Sequence, residues 1–192
     1  MNICVYGASS DAIDKEYIKE VEKMGGEMAK RGHTLVYGAG AQGLMGAAAR
    51  GISKNGGEII GVSPTFFKVD GVLYDKCTEM IFTETMRERK RIMEERSDAF
   101  IVTPGGVGTF EEFFEILTLK QLNRHQKAIA VLNLKGYYDD ISRLMTHAAA
   151  GGFMKDDTLE LYKFFTDYNE MLDYLEGYKP QTIDIRSMKH LG

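Results

Sequence analysis

Pro104-Gly-Gly-Val-Gly-Thr-Phe-Glu-Glu112 is the stretch whose reading decides the fold. It follows an apolar run, Ala99-Phe100-Ile101-Val102, and precedes a helical pattern from Phe110 to Asn123. Strand, glycine turn and helix in that order form half of a βαβ unit. Gly105, Gly106 and Gly108 remove side chains that would hold a ligand off the backbone. They also permit positive φ, so that successive N–H groups can turn toward one point. A helix starting at Thr109 or Phe110 then aims its unpaired N–H groups and positive dipole end at that point. The pattern predicts an anion site, and phosphate is the anion it suits.

Thr109-x-x-Glu112 is also the order of a capping box, which contributes about 1 kcal/mol by satisfying the first N–H groups of a helix. Charge bears on the choice. Glu111 and Glu112 would each repel a bound phosphate by about 2–3 kcal/mol, at about 6–8 Å and an effective dielectric of about 20. A loop made for phosphate alone would avoid that cost, so one carboxylate is expected to act on the rest of the ligand.

On either side of this stretch, strands and helices alternate. Asn2 to Tyr6 reads as a strand ending in the small-residue turn Gly7-Ala8-Ser9-Ser10. Tyr17, Ile18, Val21, Met24 and Met28 recur at helical spacing. Thr34 to Tyr37 is the next strand, followed by Gly38-Ala39-Gly40-Ala41-Gln42-Gly43 and a helix from Leu44 to Lys54. Further strands are predicted at 59–62, 80–82, 128–132 and 163–166, with helices at 85–96, 138–149 and 169–175. Residues 65–78 have no clear period and read as a loop, and the tail from Pro180 reads as irregular. The alternation gives an α/β, Rossmann-like, doubly wound parallel sheet with helices on both faces. The glycine-rich turns all fall at strand carboxyl ends and are expected to converge, which draws Ser9 and Gly40 toward the same ligand. With no linker or repeat, one domain over residues 1–192 is expected.

The totals exclude several classes. The 192 residues carry a net charge of −4 and a pI of about 5.6, which is no nucleic-acid footprint. No apolar run approaches the roughly 18 residues of a membrane span, and the first residues lack a signal-peptide pattern. A cytoplasmic, soluble protein is expected. Cys4 and Cys77 form neither a disulfide framework nor zinc spacing, and His33, His125, His147 and His190 show no triad or metal pattern.

Gly38-x-Gly-x-x-Gly43 matches the dinucleotide fingerprint, with Glu58 as the acid. Glu58 begins its strand, however, at the wrong end of the sheet for a ribose, so a mononucleotide turn or a plain tight turn fits better. In the helix Met86 to Met93, Arg89 shares a face with Met86 and Met93, with Lys90 on its flank. Either Arg89 snorkels to water or it enters the ligand site and pairs with Glu112 or the substrate through its bidentate fork. The start of this helix beside the central loop favours the second.

The central stretch resembles the PGGxGTxxE signature of the LONELY GUY (LOG) family, and Met86-x-x-Arg89-Lys90 resembles its second motif. Tyr6-Gly-Ala-Ser-Ser10, Gly43-Leu-Met-Gly46, Ser97-Asp-Ala-Phe100, Asn133-x-x-Gly136-Tyr-Tyr-Asp139 and Gly152-Phe-Met154 extend the resemblance along most of the chain. It implies a Rossmann-like homodimer with a site near the subunit interface. It also implies hydrolysis of the N-glycosidic bond of nucleoside 5′-monophosphates, AMP and cytokinin riboside monophosphates among them. The catalytic pair falls on Arg89 and Glu112. Contacts fall on Lys90, Gly106, Val107, Gly108, Thr109 and Thr118, with Met86 near the base. Gly105 belongs with the phosphate loop and Glu111 with the ligand. No cofactor is required, and an older lysine decarboxylase label carried by some members brings no need for pyridoxal phosphate. Ala39, Arg87, Leu119, Asn123 and Ala128 depart from the family pattern, which touches base preference rather than the pair. The other reading of this sequence is a non-catalytic nucleotide or phosphorylated-cofactor carrier, like the molybdenum cofactor carriers.

Overall fold

The computed structural model describes residues 1–180. Seven strands, β1 (Asn2–Tyr6), β2 (Thr34–Tyr37), β3 (Ile59–Pro64), β4 (Glu79–Thr83), β5 (Ala99–Val102), β6 (Ala128–Leu132) and β7 (Lys163–Phe165), form one sheet in the order β4-β3-β2-β1-β5-β6-β7. Every neighbouring pair is parallel. The order reverses between β1 and β5, and in open α/β sheets that reversal leaves a crevice at the strand carboxyl ends.

Successive side chains of a strand point to opposite faces, so each strand contributes to two cores. Ile3 and Val5 of β1 pack with helices α1 (Lys15–Lys30), α2 (Gly43–Lys54) and α6 (Tyr168–Gly177). Cys4 and Tyr6 face Met93 of α3 (Met86–Glu95), Phe113 of α4 (Val107–Gln121) and Met145 of α5 (Asp139–Ala150). Cys4 is thus the small core residue its strand position suggests.

Several boundaries shift. Strand β3 runs two residues beyond Val62. Residues 65–78 hold a 3-10 turn, Thr65–Phe67, and are strapped to the second glycine turn by an antiparallel bridge between Gly40 and Leu73. Helix α4 begins at Val107, not at Thr109 or Phe110. Its N-cap is Gly106, which has no side chain to bond with, and Thr109 lies inside the first turn. The capping box therefore does not form. The end of the tail read from Pro180 onward, with His190, lies outside the described residues.

Helices α1 and α2 meet backbone to backbone. A Cβ on Gly51 would overlap the carbonyl oxygen of Glu22 and lie 2.7 Å from the nitrogen of Gly26, and one on Gly25 would lie 3.1 Å from the carbonyl carbon of Ala48. This contact fixes α2 and with it the second glycine turn. We expect Gly51→Ala to force the helices apart and cost about 1–3 kcal/mol. It should appear in urea unfolding as a lower midpoint at unchanged slope.

Candidate active site

Five loops converge at the carboxyl ends of β1 to β5 on one pocket of about 580 Å³. Ser9 enters after β1, Gly40 and Gln42 after β2, Ser63 from the end of β3 and Phe67 after it, Met86 and Arg89 from α3, and Gly106 to Thr109 with Glu111 and Glu112 from α4. The pocket lies at the reversal between β1 and β5, where the Ala8 N–H donates across to the Pro104 carbonyl at 3.0 Å.

Its floor is the first turn of α4. Among the described residues, the N–H groups of Gly106, Val107, Gly108 and Thr109 have no protein acceptor, and the ladder begins only with Phe110 N–H to the Gly106 carbonyl at 3.0 Å. Unpaired donors and the positive helix end there make an anion site. None of Gly105, Gly106 and Gly108 adopts a positive φ, contrary to the expectation that the loop exploits left-handed backbone. What matters is the missing side chain. A Cβ on Gly106 or Gly108 would meet nothing within 4 Å and would project into open space where a ligand can approach.

The other glycine turn behaves differently. At the start of α2, Gly43 N–H donates to the Asp11 carboxylate at 2.8 Å and Leu44 N–H to the Ala8 carbonyl at 2.8 Å. These donors are already satisfied by protein, so the dinucleotide fingerprint has no free helix end to offer a pyrophosphate. Gly38 serves another purpose. A Cβ there would overlap the guanidinium of Arg89 and lie 2.9 Å from its central carbon. The residue is small so that an arginine from α3 can lie across the end of β2.

Arg89 is buried at 7 % exposure, and Glu112 at 9 %. Arg89 Nε donates to the Val62 carbonyl at 3.2 Å, and Nη1 to Glu112 Oε1 at 3.0 Å. Thr85 caps α3 by accepting from Glu88 N–H at 3.1 Å, which fixes where the helix begins and hence where Arg89 points. Of the two readings of Arg89, the structure has the one that pairs with Glu112. Burial raises the Glu112 pKa above its ordinary value of 4.5, and the adjacent guanidinium only partly offsets this. The result is a carboxyl group poised closer to neutrality than an exposed glutamate.

Not every candidate lines this pocket. Lys90 points to α4, where its ammonium pairs with Glu111 and, at 2.9 Å, with Glu115. Thr118 is exposed two turns further along α4. Gly105 packs within the loop, 3.0 Å by its Cβ position from the Ala8 nitrogen. The sequence reading missed the pocket's apolar wall, Met45, Phe67, Val72 and Leu73. Three of these come from the strap of residues 65–78, whose lack of periodicity gave no signal. A larger groove of about 720 Å³ runs along α1 and α2, walled by lysines and glutamates such as Lys19, Lys54, Glu22 and Glu27. It lacks backbone donors of the α4 kind.

A family described as "Possible lysine decarboxylase" matches residues 45–175. The rice (Oryza sativa subsp. japonica) probable cytokinin riboside 5′-monophosphate phosphoribohydrolase LOGL9 is 36% identical over 178 residues, covering 93% of this chain and 78% of its own. The Arabidopsis thaliana cytokinin riboside 5′-monophosphate phosphoribohydrolase LOG2 is 32% identical over 185 residues, covering 96% and 87%. In fold, the chain is similar to the molybdenum cofactor carrier protein of Chlamydomonas reinhardtii, with a TM-score of 0.68 at 21% identity over 91% of this chain and 95% of that one. The molybdenum cofactor binding protein of Rippkaea orientalis gives 0.66 at 20% identity, over 91% and 93%. Identity of a third spread over nearly the whole chain goes beyond shared architecture, and the chain belongs to the LONELY GUY (LOG) family.

Proposed function

We propose that this chain hydrolyses nucleoside 5′-monophosphates, AMP or cytokinin riboside monophosphates, to free base and ribose 5-phosphate. The observation that carries the reading is the coexistence, in one pocket, of the unsatisfied N–H groups of α4 and the buried Arg89–Glu112 pair. The relatives' names point to the same chemistry. The pocket's volume falls in the usual range of about 300–1,000 Å³ for small-molecule sites.

The 5′-phosphate seats on the first turn of α4, at Gly106 to Thr109 beside Ser9. That anchor is remote from the reacting carbon, so its binding energy positions the sugar over Glu112. The C1′–N bond breaks with its electron pair leaving on the base, and an oxocarbenium-like sugar remains. The Glu112 carboxylate faces this charge, as carboxylates do in glycosidases, and takes the proton of the attacking water while the base gains one from solvent. Arg89 fixes the carboxylate and reaches the ribose. The apolar wall of Met45, Phe67 and Val72, with Met86, receives the base. The active form is a homodimer, and Val107 and Phe67, exposed apolar residues lining the pocket, offer it an apolar surface.

Two further points support hydrolysis over other uses of the fold. A pyridoxal-type decarboxylation needs a lysine amine for the imine, and no lysine lines the pocket among the described residues. A carrier, the reading that the molybdenum cofactor proteins of like fold suggest, has no use for a buried guanidinium–carboxylate pair at the bottom of its site.

Glu112→Gln keeps an acceptor for Arg89 but cannot take a proton, and we expect base release from AMP to fall by about 10²–10⁴-fold, followed by chromatography of the reaction mixture. Unchanged AMP after incubation with the wild-type protein would favour the carrier instead. Gly38→Ala leaves both members of the pair in the sequence yet intrudes on the guanidinium, and it should lose at least tenfold in kcat while circular dichroism stays native. The acid limb of kcat/KM should lie above 4.5, the ordinary value of a glutamate, because burial raises Glu112. An acid whose pKa rises on folding binds its proton more tightly when folded, so stability falls as pH climbs from 4.5 through the raised value. Comparing urea midpoints of wild type and Glu112→Gln across that window should show the loss only in the wild type.

A further inference from the structure

A backbone phosphate site needs more than free N–H groups. Every carbonyl oxygen in the same loop is a partial negative charge that would face the anion if nothing turned it away. In the segment leading into α4, each of three successive carbonyls has a donor. Tyr138 Oη donates to the Thr103 carbonyl at 2.7 Å, Ala8 N–H to the Pro104 carbonyl at 3.0 Å, and Tyr137 Oη to the Gly105 carbonyl at 2.5 Å. The next carbonyl, that of Gly106, is the first acceptor of the helix. The Gly105 carbonyl thus points to a tyrosine outside the pocket, and in a trans peptide the Gly106 N–H points the opposite way.

The two tyrosines come from a turn built to present them. Lys135 and Gly136 both take left-handed backbone, at φ 54 and φ 71. Asn133 accepts from Tyr138 N–H at 2.6 Å and donates to Asp139 at 2.8 Å, tying the turn to the start of α5. The rings of Tyr137 and Tyr138 meet edge to face with centroids 5.0 Å apart, and Tyr17 of α1 packs edge-on against Tyr137. Tyr138 is fully buried and belongs to the core, whereas Tyr137 is 41% exposed and spends its hydroxyl on the loop alone. Neither side chain lines the pocket.

We propose that Tyr137 is a positioning residue for the 5′-phosphate: its hydroxyl locks the Gly105–Gly106 peptide with the N–H toward the anion, without touching substrate. This rests on the reading of α4 as the phosphate seat. Tyr137→Phe removes one oxygen from a half-exposed side chain and leaves the ring contacts in place. The variant should bind ribose 5-phosphate about 3- to 10-fold more weakly than wild type by calorimetry, while adenosine binding, which lacks the phosphate contact, stays the same. For AMP the same factor should appear in KM, with kcat within about twofold. Equal ribose 5-phosphate affinity in the two proteins, parallel weakening of adenosine, or no ribose 5-phosphate binding by wild type would each overturn the assignment. Wild type that binds ribose 5-phosphate in the Tyr137-dependent way but leaves AMP intact would remove the hydrolase reading and keep this one.

Discussion

The buried ion pair between Arg89 and Glu112 is the interaction on which the rest of this molecule's site depends. Two charges at 7 % and 9 % exposure pay a desolvation cost that their mutual attraction alone does not reliably return. The guanidinium is therefore held at several points: by Glu112, by the Val62 carbonyl, and by the space that Gly38 leaves at the end of β2. Elements separated by tens of residues, β2, β3, α3 and α4, share in placing one side chain. A pair so costly to bury is weak evidence for stability, and both of its members line an open pocket.

The two glycine turns show why a sequence pattern underdetermines a ligand. Both follow a strand and open a helix. At α2 the first donors are consumed by Asp11 and Ala8, and left-handed Gly43, the helix's first residue, lies against the loop after β1, 2.7 Å from the Ser10 nitrogen by its Cβ position. At α4 the corresponding donors have no protein partner among the described residues, and two glycines face empty space. Satisfaction of backbone donors decides which helix end can hold an anion, and that depends on what the neighbouring loop supplies.

The same logic marks how far the sequence could be read. The alternation of apolar runs with helical spacing was enough for the sheet and the convergence of its loops, because burial on both faces of a parallel sheet leaves unbroken runs such as Ala99 to Val102. Arg89 and Glu112 were legible because each breaks a local rule, a charge inside an apolar stripe and a carboxylate beside an anion loop. Thr109 misled because Thr-x-x-Glu is a capping pattern wherever the helix begins, and the helix begins two residues earlier. The purpose of Gly38 was illegible, since the atom it accommodates comes from a helix some fifty residues on. In the sequence, Ala39 stands out only as a departure from the family's glycine. The structure gives that departure a physical content, because Ala39 takes φ 61, a left-handed conformation costing an L-residue about 1–2 kcal/mol. The strap over the pocket ties down this position, with Tyr74 N–H donating to the Ala39 carbonyl at 2.9 Å.

The charge balance around α4 resolves the difficulty its two glutamates pose. Each would oppose a phosphate by about 2–3 kcal/mol if it stood free at about 6–8 Å. Neither does. Glu112 is paired with Arg89, and Glu111 shares Lys90 with Glu115. Both cations are consecutive residues of α3, so one helix, placed by its Thr85 cap, offsets the carboxylates of the other. Lys90 does not line the pocket, yet it pairs with Glu111, which does. The two carboxylates then differ in kind. Glu111 is half exposed and held by Lys90, while Glu112 is buried beside Arg89 and its pKa is raised by desolvation. An anion and two carboxylates can share one helix end because a second helix neutralises what would otherwise set them against each other.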